Sequence, residues 1–459
     1  MRDEFLDRWG GFGERTALWG GGTAHSYADL LGRVQEVREL LDGAGAKAHD
    51  AVVLEGDFSP NAIAALFALY LNRNTVIPLV RATRTAVDTV RETCAPRFTV
   101  RTGGDRVEVV PMEGNGGAPP PSFARLTEGA AAGLVLLSSG STGTPKAILH
   151  NLDALVEQKL AKRARGSVSM NILMVLMFDH IGGINSLLSA LLSGSAAVLP
   201  ARRTPEEICA LVQRHRIRVL PTSPTFLNLI IVGGYHERYD LDSLRLITYG
   251  TEPMSDELLG RVGAAFPGVR LLQTFGTSET GIAATASESS GSTYFKIADN
   301  STRYRVVDGE LQLKSSTQFL GYLNHPADAI TEDGWFRTGD LVEENGDGYI
   351  KIKGRAKEMI NVGGEKLLPL ELESTLLASP LIEDCVVYGR PNALTGQAVC
   401  VDVKPVGELS RAEARAHVRE FLTGRVEPFK IPSKVTVVDA IGMSDRLKKV
   451  RLRPHENQG

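Results

Sequence analysis

A segment rich in glycine and hydroxyl side chains has the clearest chemistry in this sequence. It reads Ser-Ser-Gly-Ser-Thr-Gly-Thr-Pro-Lys over residues 138–146 and follows the apolar run 134–137. A buried strand that leads into such a loop exposes successive backbone N–H groups, and Lys146 adds a positive charge. The combination predicts a polyphosphate site. A polar surface turn uses the same residue types, so this segment alone leaves both interpretations open.

The segment differs from a P-loop at its end. That motif closes with Gly-Lys-Ser/Thr and opens a helix, so that a hydroxyl reaches magnesium. Here Pro145 precedes the lysine and Ala147 follows it. A phosphate cradle of a different type is therefore predicted.

Further motifs follow in a fixed order. The first, 274–279, lies at the end of a predicted strand and contains an aromatic residue, two hydroxyls and a carboxylate. Three glycine-containing segments follow it at 334–340, 354–358 and 363–366. With these motifs the chain resembles the superfamily of acyl-adenylate-forming enzymes, which comprises acyl-CoA synthetases, peptide-synthetase adenylation domains and luciferases. The resemblance extends from Ser26 to Lys448. It is specific for the superfamily and much less so for a substrate, although acyl- and aryl-CoA ligases are the most similar members.

The elements that must position these motifs indicate an α/β fold. Ser26 with Asp29 predicts a capped helix, short apolar strands are predicted near 51–54, 134–137, 219–220, 244–248 and 269–272, and 205–215 reads as a helix. Helices between strands favour parallel sheets. Residues 103–121 are predicted to form a surface loop. The resemblance implies a large N-terminal domain of layered α/β sheets (1–354), a small mobile α+β C-terminal domain (355–459) with its hinge near Lys357, and an active site between the two.

The resemblance also implies ligands for ATP and Mg²⁺. Attack of a carboxylate on the α-phosphate brings negative charges together, so the site must neutralise and orient them. Glu279 is the expected Mg²⁺ ligand, because this ion uses few protein carboxylates. The expected phosphate ligands are Ser138, Ser139, Gly140, Ser141, Thr142, Gly143 and Lys146.

Adenosine is expected to contact three further segments. Phe275 stands where a tyrosine is common and would stack on adenine, since the substitution removes only a hydroxyl. Asp340 would accept the ribose hydroxyls, and Arg355 would bind ribose or phosphate. The remaining expected contacts are Gly250, Thr251, Glu252, Thr274, Gly276, Thr277 and Ser278.

The C-terminal segment departs from the family pattern. The family has a Gly-Lys pair whose lysine enters the site during adenylation, whereas this chain has Leu447 before Lys448. Alignment of Ile441 and Arg451 selects Lys448 as the catalytic lysine. Lys449 is a rival, and a solvated basic tail is the alternative interpretation.

The acyl pocket is the least readable part of the sequence. The resemblance implies that His180 gates the carboxylate side of this pocket and that Gly182, Thr225 and Gln273 form walls. Asp179 has two interpretations. It would bind an ammonium group of an amino-bearing substrate, or it would be held by local backbone N–H groups.

The acceptor of the activated acyl group stays open at this point. Gly364 resembles part of a channel for a pantetheine arm, and Lys366 would meet a phosphate, which favours coenzyme A (CoA) or a phosphopantetheine carrier protein. An amine acceptor, including the variant in which nitrite is the activated acid and a diazo group forms, is one alternative. A non-catalytic adenylate-binding relative is another. The short chain favours a small or aryl acid of secondary metabolism.

Composition favours a cytoplasmic enzyme. The 459 residues carry a net charge of −3, which gives no reason to expect nucleic acid or an anionic membrane as a partner. Four scattered cysteines predict reduced thiols without structural zinc. No apolar run approaches the length of a membrane span. The oligomeric state is not predicted.

Overall fold

The computed structural model describes residues 2–103, 106–112, 120–138, 144–161, 169–444 and 447–451. Its helices in chain order are α1 (Arg2–Gly10), α2 (Tyr27–Gly43), α3 (Pro60–Leu71), α4 (Arg84–Cys94), α5 (Ala124–Glu128), α6 (Leu152–Leu160), α7 (Ile181–Leu192), α8 (Pro205–His215), α9 (Pro224–Val232), α10 (Tyr235–Arg238), α11 (Asp256–Ala265), α12 (Pro369–Leu377) and α13 (Arg411–Leu422). Short 3₁₀ turns lie at Pro121–Phe123, Ala356–Glu358 and Pro428–Lys430.

The strands in chain order are β1 (Thr16–Gly20), β2 (Thr23–Ser26), β3 (Ala51–Glu55), β4 (Thr75–Leu79), β5 (Phe98–Arg101), β6 (Glu108–Pro111), β7 (Gly133–Ser138), β8 (Lys146–Asn151), β9 (Asn171–Leu173), β10 (Ala196–Val198), β11 (Val219–Thr222), β12 (Leu246–Tyr249), β13 (Arg270–Gln273), β14 (Phe275–Thr277), β15 (Gly281–Ala283), β16 (Thr285–Ser287), β17 (Phe295–Ile297), β18 (Thr302–Val307), β19 (Glu310–Ser315), β20 (Gly321–Tyr322), β21 (Phe336–Glu344), β22 (Ile350–Arg355), β23 (Ile360–Val362), β24 (Glu365–Leu367), β25 (Ile382–Asn392), β26 (Gly396–Pro405) and β27 (Lys434–Val437).

Two seven-stranded sheets form the centre of the large unit. Their strand orders are β13-β12-β11-β9-β10-β1-β2 and β20-β8-β7-β4-β3-β5-β6. The inner pairs of the first sheet, such as β11 with β12 and β12 with β13, are parallel. In such sheets, ligands bind outside the carboxyl ends of the strands. The predicted parallel α/β architecture is confirmed, and it brings the loops after β11, β12 and β13 together.

Local sequence explains the helices that were predicted. Ser26 and Asp29 form the expected capping box at α2, with both reciprocal hydrogen bonds present. Thr204 caps α8, and Pro205 occupies its first turn, where a missing N–H costs nothing. Each helix buries an apolar face, which is formed by Leu30, Val34, Val37 and Leu41 in α2 and by Ile208, Cys209, Leu211 and Val212 in α8.

The segment 103–121 differs from the loop that was predicted. Its residues Glu108–Pro111 form β6, which pairs antiparallel with β5. The side chains of Val107 and Val109 pack against the core beneath this edge of the sheet. Burial of two valines stabilises a strand in a segment whose glycines and prolines favoured a loop.

The remaining sheets complete the large unit and build the small one. A six-stranded sheet has the order β16-β17-β22-β21-β19-β18, and β14 pairs with β15 alone. The small unit has a five-stranded sheet with β24, β23, β26, β25 and β27, and its own apolar core includes residues of α12 and α13.

Arg355 still belongs to β22, so the predicted boundary after 354 falls at the end of a strand. The hinge near Lys357, which lies in the 3₁₀ turn that follows, stays a prediction.

Within the described ranges, no helix combines the length and apolarity that crossing a bilayer requires. The four cysteines are free, and each is buried. No group of three or more potential metal-binding side chains occurs in the described part of the chain.

Candidate active site

A cavity of about 530 Å³ lies at the carboxyl ends of the parallel strands and reaches the C-terminal segment. Its described lining carries more basic than acidic side chains. The basic ones are Lys146, Arg337, Arg355, Lys357 and Lys448, and the carboxylates are Glu279 and Glu310. Excess positive charge in a confined space attracts polyphosphates.

The part of the cavity where a phosphate site is predicted brings together four side chains, those of Ser138, Lys146, Glu279 and Tyr322. Ser138 ends β7, and Lys146 begins the neighbouring strand β8. The hydroxyl of Tyr322 donates to Oε1 of Glu279 at 2.9 Å, and Nζ of Lys146 lies 4.9 Å from the centre of the Tyr322 ring. The Tyr322 ring therefore contacts the ammonium group of Lys146, while its hydroxyl binds the carboxylate of Glu279. The predicted phosphate ligands at 139–143 lie outside the described residues.

The segment 274–279 contains β14 and part of the turn that leads to its hairpin partner β15. Thr274, Gly276, Thr277, Ser278 and Glu279 all line the cavity. A Cβ atom on Gly276 would lie 2.2 Å from the carbonyl oxygen of Gly281, so the backbones approach closely here because residue 276 has no side chain. The predicted cluster of hydroxyls and a carboxylate is therefore assembled at this hairpin.

His180 lies at the start of α7. Its Nδ1 accepts a hydrogen bond from the backbone N–H of Gly182 at 3.3 Å, which makes it the helix cap. Both residues line the cavity. A Cβ atom on Gly183 would meet the carbonyl oxygen of Met177 at 1.9 Å, so glycine is required for this entry into the helix. The cap fixes the orientation of the imidazole ring at the cavity wall.

The two candidate lysines of the C-terminal segment have different surroundings. Lys448 lines the cavity. Lys449 points the other way, where its Nζ contacts Oδ1 of Asp384 at 2.6 Å and donates to the carbonyl of Cys385 at 2.9 Å. Burial alone would lower the pKa of Lys449, but the neighbouring carboxylates, Asp384 foremost, raise it above its usual value. The structure therefore brings Lys448, and not its rival, to the cavity.

Asp340 and Arg355 form an ion pair beside the cavity. Nε of Arg355 lies 3.0 Å from Oδ1 of Asp340, and the two residues are register partners in β21 and β22. Burial raises the pKa of Asp340, while Arg355 opposes that shift. Arg355 lines the cavity together with Gly339, whereas Asp340 lies just behind that lining. The roles of the pair towards ribose stay predictions.

Three further predicted site residues lie outside the cavity lining, namely Glu252, Thr225 and Gln273. The carboxylate of Glu252 accepts from the backbone N–H groups of Thr225 and Lys449, at 2.7 and 3.3 Å, so Glu252 joins α9 to the C-terminal segment. Its expected contact with adenosine stays a prediction. Burial raises its pKa, and the Thr225 hydrogen bonds oppose the shift. Thr225 itself is buried in α9, and Gln273 is buried at the end of β13. Neither reaches the cavity as a wall residue.

Phe275 and Asp179 also have other contacts. The Phe275 ring lies 5.7 Å from the Phe295 ring and packs on the core of the six-stranded sheet, which takes it away from the lining. Oδ2 of Asp179 accepts from the backbone N–H of Val80 at 3.3 Å. This partner is a backbone N–H, but it belongs to a distant segment and is not one of the local groups that the second interpretation expected. Stacking of Phe275 on adenine stays a prediction.

Gly364 and Lys366 are exposed on the hairpin of β23 and β24. Gly364 has a φ of 99°, and its N–H donates to the side chain of Asn361 at 2.9 Å. Neither residue lines the cavity. Their predicted role towards a thiol arm would need movement of the small unit.

Sequence reasoning missed several residues of the site. Tyr322 is the most consequential, because it contacts both Lys146 and Glu279. Tyr322 lies directly after Gly321 in a short edge strand, and the sequence around it contains no motif that indicates a functional residue. His150 lies outside the cavity lining and is buried. Burial lowers its pKa to about 4, although hydrogen bonds with the backbone of Ser278 and Thr317 oppose that shift.

The fold and this site define a family. The chain matches the AMP-binding enzyme family over residues 5–323 and the AMP-binding enzyme C-terminal domain over residues 371–446. The chain therefore belongs to the AMP-binding enzyme family. The resemblance predicted from its motifs is confirmed.

Individual relatives cover almost the whole chain. Indoleacetate–CoA ligase of Aromatoleum aromaticum is 30% identical over 93% of this chain and 91% of its own length. The 2,3-dihydroxybenzoate–AMP ligase of Bacillus subtilis is 27% identical over 95% of this chain and 90% of its own length. These names confirm the predicted enzyme class, an AMP-forming acid–thiol ligase.

Solved structures confirm the fold. The anthranilate CoA ligase AuaEII, in complex with anthranoyl-AMP, superposes with a TM-score of 0.80, at 17% identity over 98% of this chain and 95% of that chain. The amide bond synthetase McbA from Marinactinospora thermotolerans superposes with a TM-score of 0.75, at 18% identity over 98% of both chains. Both likenesses support the predicted large and small units.

Proposed function

We propose that this enzyme activates a small or aryl carboxylic acid with ATP and transfers the acyl group to a thiol. The observation that carries the proposal is the single cavity in which Lys146, Glu279, His180 and Lys448 meet from four segments of the chain. Such a cavity offers cations for phosphates and an uncharged side for an acid. The family membership supports use of ATP, and the names of the relatives support an acid–thiol ligase.

The first half-reaction needs neutralisation of the phosphates and orientation of the acid. Lys146, with the loop that precedes it, would hold the outgoing β- and γ-phosphates. Lys448 would approach the α-phosphate region and stabilise the charge that develops as the acid oxygen attacks phosphorus and pyrophosphate leaves. His180 would orient the acid from the cap of α7.

The residues present fit Mg²⁺ at Glu279. This carboxylate lines the cavity, and Tyr322 occupies its Oε1 by a hydrogen bond. One protein carboxylate together with substrate phosphates is the usual environment for this ion. When bound, Mg²⁺ would neutralise phosphate charge.

The acid side of the cavity suits a compact, partly polar molecule. Its described walls include Leu176, Ile181 and Ile282 beside Asn185 and Thr222. Apolar walls with few polar groups are typical of small-molecule pockets. The relatives named for indoleacetate and dihydroxybenzoate support an aryl acid, and we propose a role in secondary metabolism.

For the acceptor we propose CoA or a phosphopantetheine carrier protein. The exposed hairpin with Gly364 and Lys366 would line the thiol channel after rotation near Lys357. The amine acceptor is the second candidate, since the fold is shared with an amide bond synthetase.

One assay panel tests this function. Pyrophosphate release from ATP is measured with aliphatic, aryl and amino acids and with nitrite, with and without CoA. The proposal expects release with one organic acid and a thioester product that requires the thiol. Release with nitrite would favour an amine as the acceptor. So would release with an acid whose adenylate reacts with amines but not with CoA or a carrier arm. ATP binding without turnover across a broad panel of acids would favour a non-catalytic relative.

Substitution of Tyr322 by phenylalanine tests the Mg²⁺ assignment. The ring over Lys146 stays, but the hydroxyl that orients Glu279 is lost. We expect the Mg²⁺ concentration for half-maximal adenylation to rise about three- to tenfold, because a hydrogen bond that orients the ligand is removed and a typical hydrogen bond contributes about 0.5–1.5 kcal/mol. Tyr304→Phe is the matched control, since that hydroxyl donates to the carbonyl of Gly348 away from the cavity. An unchanged Mg²⁺ dependence in Tyr322→Phe would contradict the assignment.

A further inference from the structure

Leu447 has a backbone conformation that leucine rarely adopts. Its φ is 58°, in the left-handed region where glycine is the usual residue. A bulky side chain in this region is an outlier that the surrounding structure must stabilise. The contacts of Leu447 therefore need to be strong enough to hold it there.

The side chain of Leu447 is buried in the large unit. It is 5% exposed and joins the apolar cluster formed by the first sheet with α8, α9 and α11, which includes Phe226 and Val175. Of the described residues in that cluster, Leu447 alone comes from beyond residue 355. The C-terminal segment thus inserts an apolar side chain into the core of the other unit.

Polar contacts hold the backbone on both sides of Lys448. The carbonyl of Leu447 accepts a hydrogen bond from Oγ of Ser223 at 2.6 Å, and Ser223 is fully buried. The backbone N–H of Lys449 donates to Oε2 of Glu252 at 3.3 Å. Lys448, which lines the cavity, is therefore held between two attachments to the large unit.

We propose that Leu447 is a positioning residue that anchors the C-terminal segment to the large unit and thereby holds Lys448 in the nucleotide cavity. The inference rests on the proposed adenylation for its kinetic consequence, but the anchoring itself is independent of any substrate. Departure of Lys448 would expose the Leu447 side chain to water and break the hydrogen bond to Ser223. Leu447 thus favours the arrangement for the first half-reaction and opposes rotation towards the second.

Hydrogen exchange of the Lys449 amide tests the anchor without any acid substrate. This N–H reports separation of the segment from Glu252. In Leu447→Ala we expect exchange at this amide to accelerate about tenfold or more, because loss of a packed side chain favours local opening. Leu394→Ala is the matched control, since Leu394 is 95% exposed in the same unit. Unchanged exchange in Leu447→Ala would overturn the anchor.

The half-reactions provide the second readout, and Leu447→Gly is the sharper variant. Glycine suits a φ of 58°, so this variant removes the anchor without backbone strain. We expect ATP–pyrophosphate exchange per folded molecule to fall about five- to tenfold, while transfer from preformed adenylate is unchanged or faster. Equal loss in both half-reactions would overturn the positioning role. If the unaltered enzyme activates no acid but exchange of the Lys449 amide is faster in the Leu447 variants, the anchor is retained and the proposed function is rejected.

Discussion

Replacement of Lys448 by alanine is expected to lower the rate of acyl-adenylate formation by about 10²- to 10³-fold, the usual effect of losing one group that stabilises transition-state charge. The reason is its position. Lys448 is the lysine of the C-terminal segment that lines the cavity, and backbone attachments on both sides hold it there. Transfer from preformed adenylate to the thiol should change much less, because the thiol attacks the acyl carbon and AMP leaves without any bond to phosphorus being made or broken.

Rapid-quench measurement of the two half-reactions separates these effects. Acyl-AMP and pyrophosphate report the first step, and thioester formed from supplied acyl-AMP reports the second. Lys448→Arg is a useful companion, because it keeps the charge but alters its reach and geometry. Equal loss in both steps, or no loss in the first, would reject the assignment of Lys448.

Substitution of the neighbouring Lys449 should affect stability more than adenylation. Substitution of Lys449 by methionine is expected to destabilise the small unit by about 3–5 kcal/mol, because it leaves a buried carboxylate without its partner. The side chains of Lys449 and Asp384 are 12% and 8% exposed, and Nζ also donates to the carbonyl of Cys385. Adenylation per folded molecule should fall far less than in Lys448→Ala, because the backbone N–H that binds Glu252 is retained.

Thermal and denaturant unfolding measure this effect. The double variant Asp384→Leu with Lys449→Met provides the control, since replacing both partners of a buried ion pair by apolar groups is often nearly neutral. Its stability should approach that of the unaltered chain. A single variant that unfolds at the same denaturant concentration as the unaltered chain would show that the pair contributes little.

The pH dependence of this destabilisation follows from the raised pKa of Lys449. A cationic group whose pKa is raised by folding contributes its full stabilisation below the unfolded pKa, which is about 10.4 for lysine. The contribution is lost only as pH rises towards the folded pKa above that value. The deficit of Lys449→Met should therefore be constant across neutral pH, and a deficit that disappears near pH 7 would contradict the ion pair.

Much of this enzyme could be predicted from its sequence because the relevant features are local. The capping box at Ser26, the proline at the start of α8 and the apolar strands each depend on residues a few positions apart. The motifs around Lys146 and Glu279 are also contiguous, so their order identified the family. A strand such as β6 was missed because its stability comes from the core beneath it, and its glycine-rich surroundings favour a loop.

The composition of the cavity was decided by tertiary structure. Alignment of the sequence favoured Lys448 but left Lys449 as a rival, because their surroundings depend on Asp384 and Glu252, which are far apart in the chain. The same long-range packing takes Phe275 out of the lining and brings Tyr322 to Glu279. The sequence by itself determined the family, the fold and the residues able to do chemistry. The tertiary structure decided which of these residues meet, because that depends on contacts between side chains that are distant in sequence.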